Sequence, residues 1–121
     1  MRVVRVEERP QVVLGLDPDL GGDAFRIAGN AQCIRIAAGA PRGLIYGVGK
    51  FLRTSSYVPG FTPSAWRGVS TPRGTLRGMY FASHFHNWYH QAQPDEIARY
   101  MEDLTLWGAN AVMAIFPMIN L

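Results

Sequence analysis

Cysteine and long apolar runs are the features that this chain has least of. Cys33 is the only cysteine, so the chain cannot form an internal disulfide bond. The thiol falls in a short alternating run, where we expect it to be buried and inert. No apolar run reaches the roughly 18–20 residues of a membrane-spanning helix, so we expect no membrane partner. The first residues lack the apolar core of a signal peptide, which leaves both a cytoplasmic and a secreted location open.

Lysine is equally scarce, because Lys50 is the only one and arginine supplies almost all of the positive charge. The net charge is +3, and residues 1–76 hold ten basic and five acidic residues. Residues 77–121 hold two basic and four acidic residues. The arginines are scattered and have no aromatic residues interleaved with them, unlike those of a nucleic-acid interface. We therefore expect a solvated basic surface and no nucleic-acid partner.

The first part of the chain, residues 1–58, has the pattern of a small sheet followed by a helix. The runs Phe25–Ala28 and Cys33–Ala37 alternate apolar and polar residues, and a Gly-Asn pair lies between them. This pattern predicts an antiparallel hairpin with Ile34 and Ile36 on one face.

A change of period predicts a helix over residues 40–54. Pro41 suits the first helical position, where its missing N–H would have no partner in any case. Gly43 and Gly47 lie on one face of this helix, and each costs roughly 1 kcal/mol relative to alanine. Their presence predicts that the helix approaches the sheet closely. The positions predicted to form one apolar stripe are Leu44, Ile45, Val48, Phe51 and Leu52.

Residues 59–74 are rich in proline and glycine, which predicts a linker. Residues 75–121 then have the order strand, helix, strand. The first strand is predicted at Met79–Ser83. The last, Ala111–Phe116, is apolar without alternation, which is typical of a parallel strand buried on both faces. This order at this length predicts one right-handed βαβ unit, so the fold class is α/β.

The helix of this unit is predicted to begin near Pro94, with Asp95 and Glu96 facing the positive end of its dipole. Gly108 predicts its end. A βαβ unit opens a β/α barrel, but 121 residues fall short of the roughly 200–250 that a TIM barrel needs. We therefore expect a small sheet-plus-helix domain followed by the first βαβ unit of a truncated TIM barrel. The residues expected to form the buried stripe of the helix are Ile97, Tyr100, Met101, Leu104 and Trp107.

Three segments in a fixed order resemble parts of known glycoside hydrolases. The run from Ala40 to Val48 (APRGLIYGV) resembles a helix start in the accessory domain that precedes their barrel. Arg77-Gly78-Met79 resembles the entry into barrel strand one, and the run from Asp103 to Val112 (DLTLWGANAV) resembles the passage into strand two. The families are the β-N-acetylhexosaminidases of family 20, the O-GlcNAcase-type family 84 and the α-glucuronidases of family 67.

This resemblance implies a division into a hexosaminidase-like accessory domain (1–58), a linker (59–74) and the first βαβ of a catalytic barrel (75–121). It also implies an activity, the hydrolysis of O-glycosidic bonds, with a carbohydrate and the remainder of the barrel as partners. In families 20 and 84 the catalytic acids lie on later strands and the substrate's acetamido group is the nucleophile, an exception to the two-carboxylate rule. We therefore expect no catalytic residue in this chain and no activity of the chain alone.

Arg77 matches an arginine that contacts the sugar in family 20. A guanidinium can donate paired hydrogen bonds to hydroxyls or to a carboxylate. The alternative is a structural arginine at the bottom of the barrel, because Arg77 precedes its strand. Both interpretations are open at this point.

The loop after the first barrel strand is the second candidate. Barrel active sites form on the loops at the carboxyl ends of the strands. His84, His86 and Asn87 could bond sugar hydroxyls, and Trp88 could stack on the ring. The alternative is a polar surface loop. His84 and His86, with His90 nearby, could also suggest zinc, but no carboxylate or thiol lies suitably close, so we expect neither a metal nor a cofactor.

The remaining acids are explained without catalysis. Asp95 and Glu96 are expected to cap a helix, and Glu102 and Asp103 to lie on its solvated side. Loop 84–89 departs from the hexosaminidase pattern, so the sugar stays unspecified. An alternative for the whole chain is a stand-alone small α/β module that binds sugars or a partner protein.

Overall fold

The computed structural model describes residues 11–81 and 87–114, and these fall into two units with a boundary between Thr71 and Pro72. Both units mix strands and helices, so the predicted α/β class is confirmed at this level. Among the described residues, no helix combines the length and the apolar character that crossing a lipid bilayer requires.

The first unit is a four-stranded sheet with one helix. Its strands are β1 (Gln11–Leu16), β2 (Phe25–Gly29), β3 (Cys33–Ala38) and β4 (Gly68–Ser70), and α1 spans Pro41–Thr54. The strand order is β1-β3-β2-β4, with β1 parallel to β3 and the other pairs antiparallel.

The predicted hairpin of β2 and β3 is confirmed. Its turn depends on Gly29, which has a φ of 93°, in the region that favours glycine. The Asn30 side chain accepts hydrogen bonds from the N–H groups of Gln32 and Cys33, both at 3.0 Å. The core lies on one face of this sheet. Its largest fully buried side chains are Ile27, Ile34 and Ile36, joined by Phe25, Ala38, Tyr46 and Phe51.

The expectation of a buried thiol is wrong, because Cys33 is exposed. Successive side chains of a strand point to opposite faces. Since Ile34 and Ile36 point into the core, Cys33 points away from it.

Helix α1 approaches the sheet closely through its glycines, as predicted. A Cβ atom on Gly47 would lie 2.6 Å from Cγ2 of Ile36, and one on Gly43 would lie 2.9 Å from Cβ of Ala38. The glycine edge therefore faces the sheet, and this sets the rotation of the helix. As a result the predicted apolar stripe is partly wrong, since Ile45 and Leu52 are 42% and 38% exposed while Tyr46 is buried.

The predicted linker contains structure of its own. Strand β4 lies within residues 59–74 and pairs with β2. Trp66 packs against Phe25 with 6.2 Å between ring centroids, and the Arg67 Nε donates to the carbonyl of Gly29 at 2.9 Å. The part of this predicted linker that precedes residue 71 therefore packs on the first unit.

The second unit contains β5 (Gly78–Phe81), α2 (Trp88–Gln91), α3 (Pro94–Leu106) and β6 (Ala111–Ala114). Strands β5 and β6 are parallel, so the predicted strand-helix-strand order is confirmed. Helix α3 begins as predicted, with the N–H of Gln93 donating to Glu96 Oε2 at 2.8 Å. It ends at Leu106, and Gly108 follows in the turn, with a φ of 103° and an N–H that donates to the carbonyl of Thr105.

The burial predicted for this unit is wrong. Met101 of α3 is 38% exposed, Trp107 just after the helix is 70% exposed, and no residue of α3 is fully buried. In β6, Val112 is 44% and Met113 is 64% exposed. The physical reason is that each strand has only one neighbour among the described residues, so the sheet is too narrow to cover its own faces.

Candidate functional site

Arg77 lies immediately before β5, at the amino ends of the parallel strands. Its Nε donates to the carbonyl of Gly108 at 2.8 Å, and its Nη1 donates to the carbonyl of Gly74 at 2.7 Å. The guanidinium therefore joins the segment before β5 to the turn between α3 and β6. This arrangement favours the structural interpretation of Arg77.

Asn110 completes this connection. Its Oδ1 accepts the N–H of Arg77 at 2.8 Å, and its Nδ2 donates to the carbonyl of Thr75 at 2.7 Å. The backbone N–H of Asn110 also donates to the carbonyl of Arg77 at 2.9 Å. We call Arg77, Gly108 and Asn110 the turn clamp. It links the segment that enters β5 to the turn that enters β6 and fixes the register of the two strands.

Sequence reasoning missed the role of Asn110. Its partners lie 33 and 35 positions earlier in the chain, so no local pattern indicates them. The available signal was an asparagine two residues after a helix-ending glycine and immediately before an apolar strand.

Four aromatic rings meet at the carboxyl end of β5, and we call them the aromatic cluster: Phe81, Trp88, Tyr89 and Tyr100. Phe81 is the last described residue of β5 and is 5% exposed. Its ring centroid lies 4.6 Å from that of Tyr89 and 5.7 Å from that of Tyr100. The cluster thus fixes the end of the strand against α2 and α3.

Trp88 belongs to the aromatic cluster and also faces solvent. Its ring lies 5.2 Å from that of Tyr89 and 5.5 Å from that of Tyr100, both in edge-on geometry. The residue nevertheless remains 44% exposed. Trp88 therefore presents a held aromatic surface at the carboxyl end of β5.

Asn87 precedes Trp88 and caps helix α2. Its Oδ1 accepts the N–H of Tyr89 at 3.2 Å. Asn87 and Trp88 are thus consecutive residues at the start of α2. His84 and His86 lie outside the described residues, as does the alternative metal site that would add the side chain of His90.

The pKa of Tyr89 is shifted from its usual value. Burial among the aromatic rings raises its pKa above the usual value near 10, and a hydrogen bond with Tyr100 raises the pKa further. Both effects favour the neutral phenol. Tyr89 is therefore harder to deprotonate than a solvated tyrosine.

The acids of the second unit are used for helix structure, as expected. Glu96 caps α3, and Asp95 lies 3.7 Å from Arg99 in an exposed ion pair. Glu102 and Asp103 are exposed, in agreement with the predicted solvated side. Within residues 11–81 and 87–114, no three side chains of His, Cys, Asp or Glu come together as a metal site would require.

Comparison with models of known protein families and with curated protein sequences finds no match to this chain.

Proposed function

We propose that this chain is the accessory domain and the first βαβ unit of a glycoside hydrolase whose catalytic domain is a (β/α)8 barrel. The single observation that carries the proposal is the parallel pair β5–β6 with the aromatic cluster at the carboxyl end of β5. Substrates of β/α barrels bind at that end of the strands. The fold class alone would not specify a function.

The exposure of the second unit supports the barrel. Parallel strands normally lie buried on both faces, under helices and beside other strands. Here Met79, Tyr80, Val112 and Met113 are between 40% and 64% exposed. Additional strands and helices of a barrel would cover these apolar side chains.

Trp88 is the proposed sugar platform. The C–H face of a pyranose ring is apolar, and an aromatic ring held by its neighbours binds it without losing much side-chain entropy. Asn87, His84 and His86 lie in the same stretch of sequence and would bond the hydroxyl groups. Arg77 lies at the other end of the strand, where its hydrogen bonds support a role in positioning β5.

The chain supplies no catalytic carboxylate under this proposal. Glycosidases that use a pair of acids hold them across the scissile bond. Since Asp95 and Glu96 serve α3, the catalytic acids would lie on later strands. The 121-residue chain should therefore release no p-nitrophenol from aryl glycosides.

The decisive experiment is to read the coding region that follows codon 121 and to express the longer open frame. The proposal expects further strand-helix repeats with acidic residues at strand ends, and turnover of at least one aryl glycoside. In that longer protein, Trp88→Ala should raise KM about tenfold, while Trp107→Ala serves as the matched control at the opposite end of the strands.

A stop codon directly after residue 121 would overturn the proposal and favour the stand-alone binding module. Turnover by the 121-residue chain would also contradict it, because the catalytic acids would then lie within this chain. Equal KM values for the two tryptophan variants would remove Trp88 from the sugar site.

A further inference from the structure

The face of the first sheet opposite α1 holds a cavity of about 460 Å³. The strand register explains its shape. Arg35 lies on the central part of β3, opposite Val13 of β1 and Ala28 of β2. In the next row on the same face, Ala37 lies between Gly15 and Arg26. Small side chains thus form a flat floor, with one arginine in each row.

An ion pair closes one end of this cavity. Arg26 Nη1 lies 2.9 Å from Asp17 Oδ2, although Arg26 is on β2 and Asp17 directly follows β1, on the other side of β3. The Arg26 side chain therefore passes over β3. Asp17 Oδ1 accepts the N–H of Asp19 at 3.1 Å, so both carboxylate oxygens already have donors.

Arg35 leaves the cavity with an unbalanced positive charge. Its lining has two arginines and one acid, and that acid is paired with Arg26. Among the described residues, the Arg35 side chain takes part in no hydrogen bond or ion pair. A guanidinium offers a carboxylate or a phosphate two parallel donors.

We propose that this cavity binds a small anionic ligand with a flat apolar body. The anionic group would pair with Arg35, and the flat body would lie on Gly15, Ala28 and Ala37. The volume falls in the range of small-molecule sites, and a single charged group fixing the orientation of an apolar body is their usual chemistry. This proposal is independent of the glycosidase assignment.

The test is a titration of the 121-residue chain with 2-naphthoate and, separately, with the neutral isostere 2-naphthamide, followed by amide chemical shifts. The expected result is saturable shifts at Val13, Ala28 and Ala37 with naphthoate, and at least tenfold weaker binding of naphthamide. Arg35→Gln should weaken naphthoate binding about tenfold, as expected for loss of a charge-assisted pair.

Two further variants serve as controls. One tests whether removing any exposed arginine weakens binding, and the other tests whether filling the cavity abolishes binding while the protein stays folded. Arg99→Gln removes one exposed arginine of the second unit and should leave the affinity unchanged. Ala28→Leu keeps both arginines but fills the floor, and should abolish the shifts while the fingerprint of the β2 and β3 amides stays folded. Equal binding of naphthoate and naphthamide, or undiminished binding by Arg35→Gln, would overturn the proposal.

Discussion

The two units of this chain contain similar elements but differ in how much of their apolar surface they cover. In the first, Ile34 and Ile36 are completely buried between the sheet and α1. In the second, Met113 is 64% and Trp107 is 70% exposed. Among the described residues, the first unit has four strands under one helix, whereas the second has two strands. Strand number therefore decides whether a sheet can form its own core.

This difference has a functional meaning. A unit with its own core can fold without further chain, while a narrow parallel pair depends on neighbours to bury its apolar side chains. The candidate sugar platform lies on the second unit. We therefore expect its binding geometry to become complete only when that unit is covered by the rest of a barrel.

The largest effect should come from the difference in burial between the two sheets. Ile36→Ala removes a side chain with no exposed surface and should lower the free energy of unfolding of the first unit by about 4 kcal/mol. Met113→Ala, the matched change on β6, should cost less than about 0.5 kcal/mol. Urea unfolding followed by amide signals of each unit measures both. Equal losses would contradict the difference in burial.

The next effect tests the close approach of α1. Gly47→Val places a branched side chain where even a Cβ would lie 2.6 Å from Ile36, and it should destabilise the first unit by about 3 kcal/mol. Gly15→Ala is the control, because a Cβ there meets no atom within 4 Å. Thermal unfolding of both variants checks this, and a wild-type melting temperature for Gly47→Val would rule out the tight contact.

A smaller effect is expected in the turn clamp of the second unit. Asn110→Ala removes two side-chain hydrogen bonds to backbone groups and should cost about 1–2 kcal/mol. Hydrogen exchange of the β5 and β6 amides measures the loss. Asp95→Asn, which breaks an exposed ion pair at 3.7 Å, should leave that exchange unchanged. A larger effect for Asp95→Asn than for Asn110→Ala would disprove the clamp.

The smallest effect concerns pH. The pKa of Tyr89 is raised in the folded state, so its contribution to stability is fully present below the unfolded pKa of about 10. That contribution is lost as the pH rises through the higher folded pKa. Tyr89→Phe should therefore flatten the alkaline decline in stability of the second unit, while Tyr57→Phe should not. Unfolding curves between pH 8 and about 11 check this sign.

Local patterns predicted much of the fold. The alternation around Ile34 predicted the β2–β3 hairpin, and Pro41 predicted the start of α1. Gly43 and Gly47 predicted a close contact. The same alternation places Cys33 on the face opposite Ile34, and the structure exposes its thiol there. The expectation of a buried thiol did not follow from this alternation.

Other features depend on contacts between distant parts of the chain. The rotation of α1, which exposes Ile45 and buries Tyr46, is set by Ile36 and Ala38 against the glycines. The bonds of Asn110 join positions more than 30 residues apart. The exposure of β6 depends on the number of strands beside it, which no pattern within the strand encodes. Of the candidate loop after β5, the structure describes Asn87 and Trp88, and their binding of sugar stays a prediction.

Native-state hydrogen exchange of the 121-residue chain tests the difference between the units most directly. Amides of fully covered strands exchange only when their unit unfolds, while those of poorly covered strands exchange by local opening. The account predicts that Ile34 and Ile36 are protected about a hundredfold or more above Tyr80 and Val112. Equal protection of the two pairs would contradict the difference in coverage between the two units.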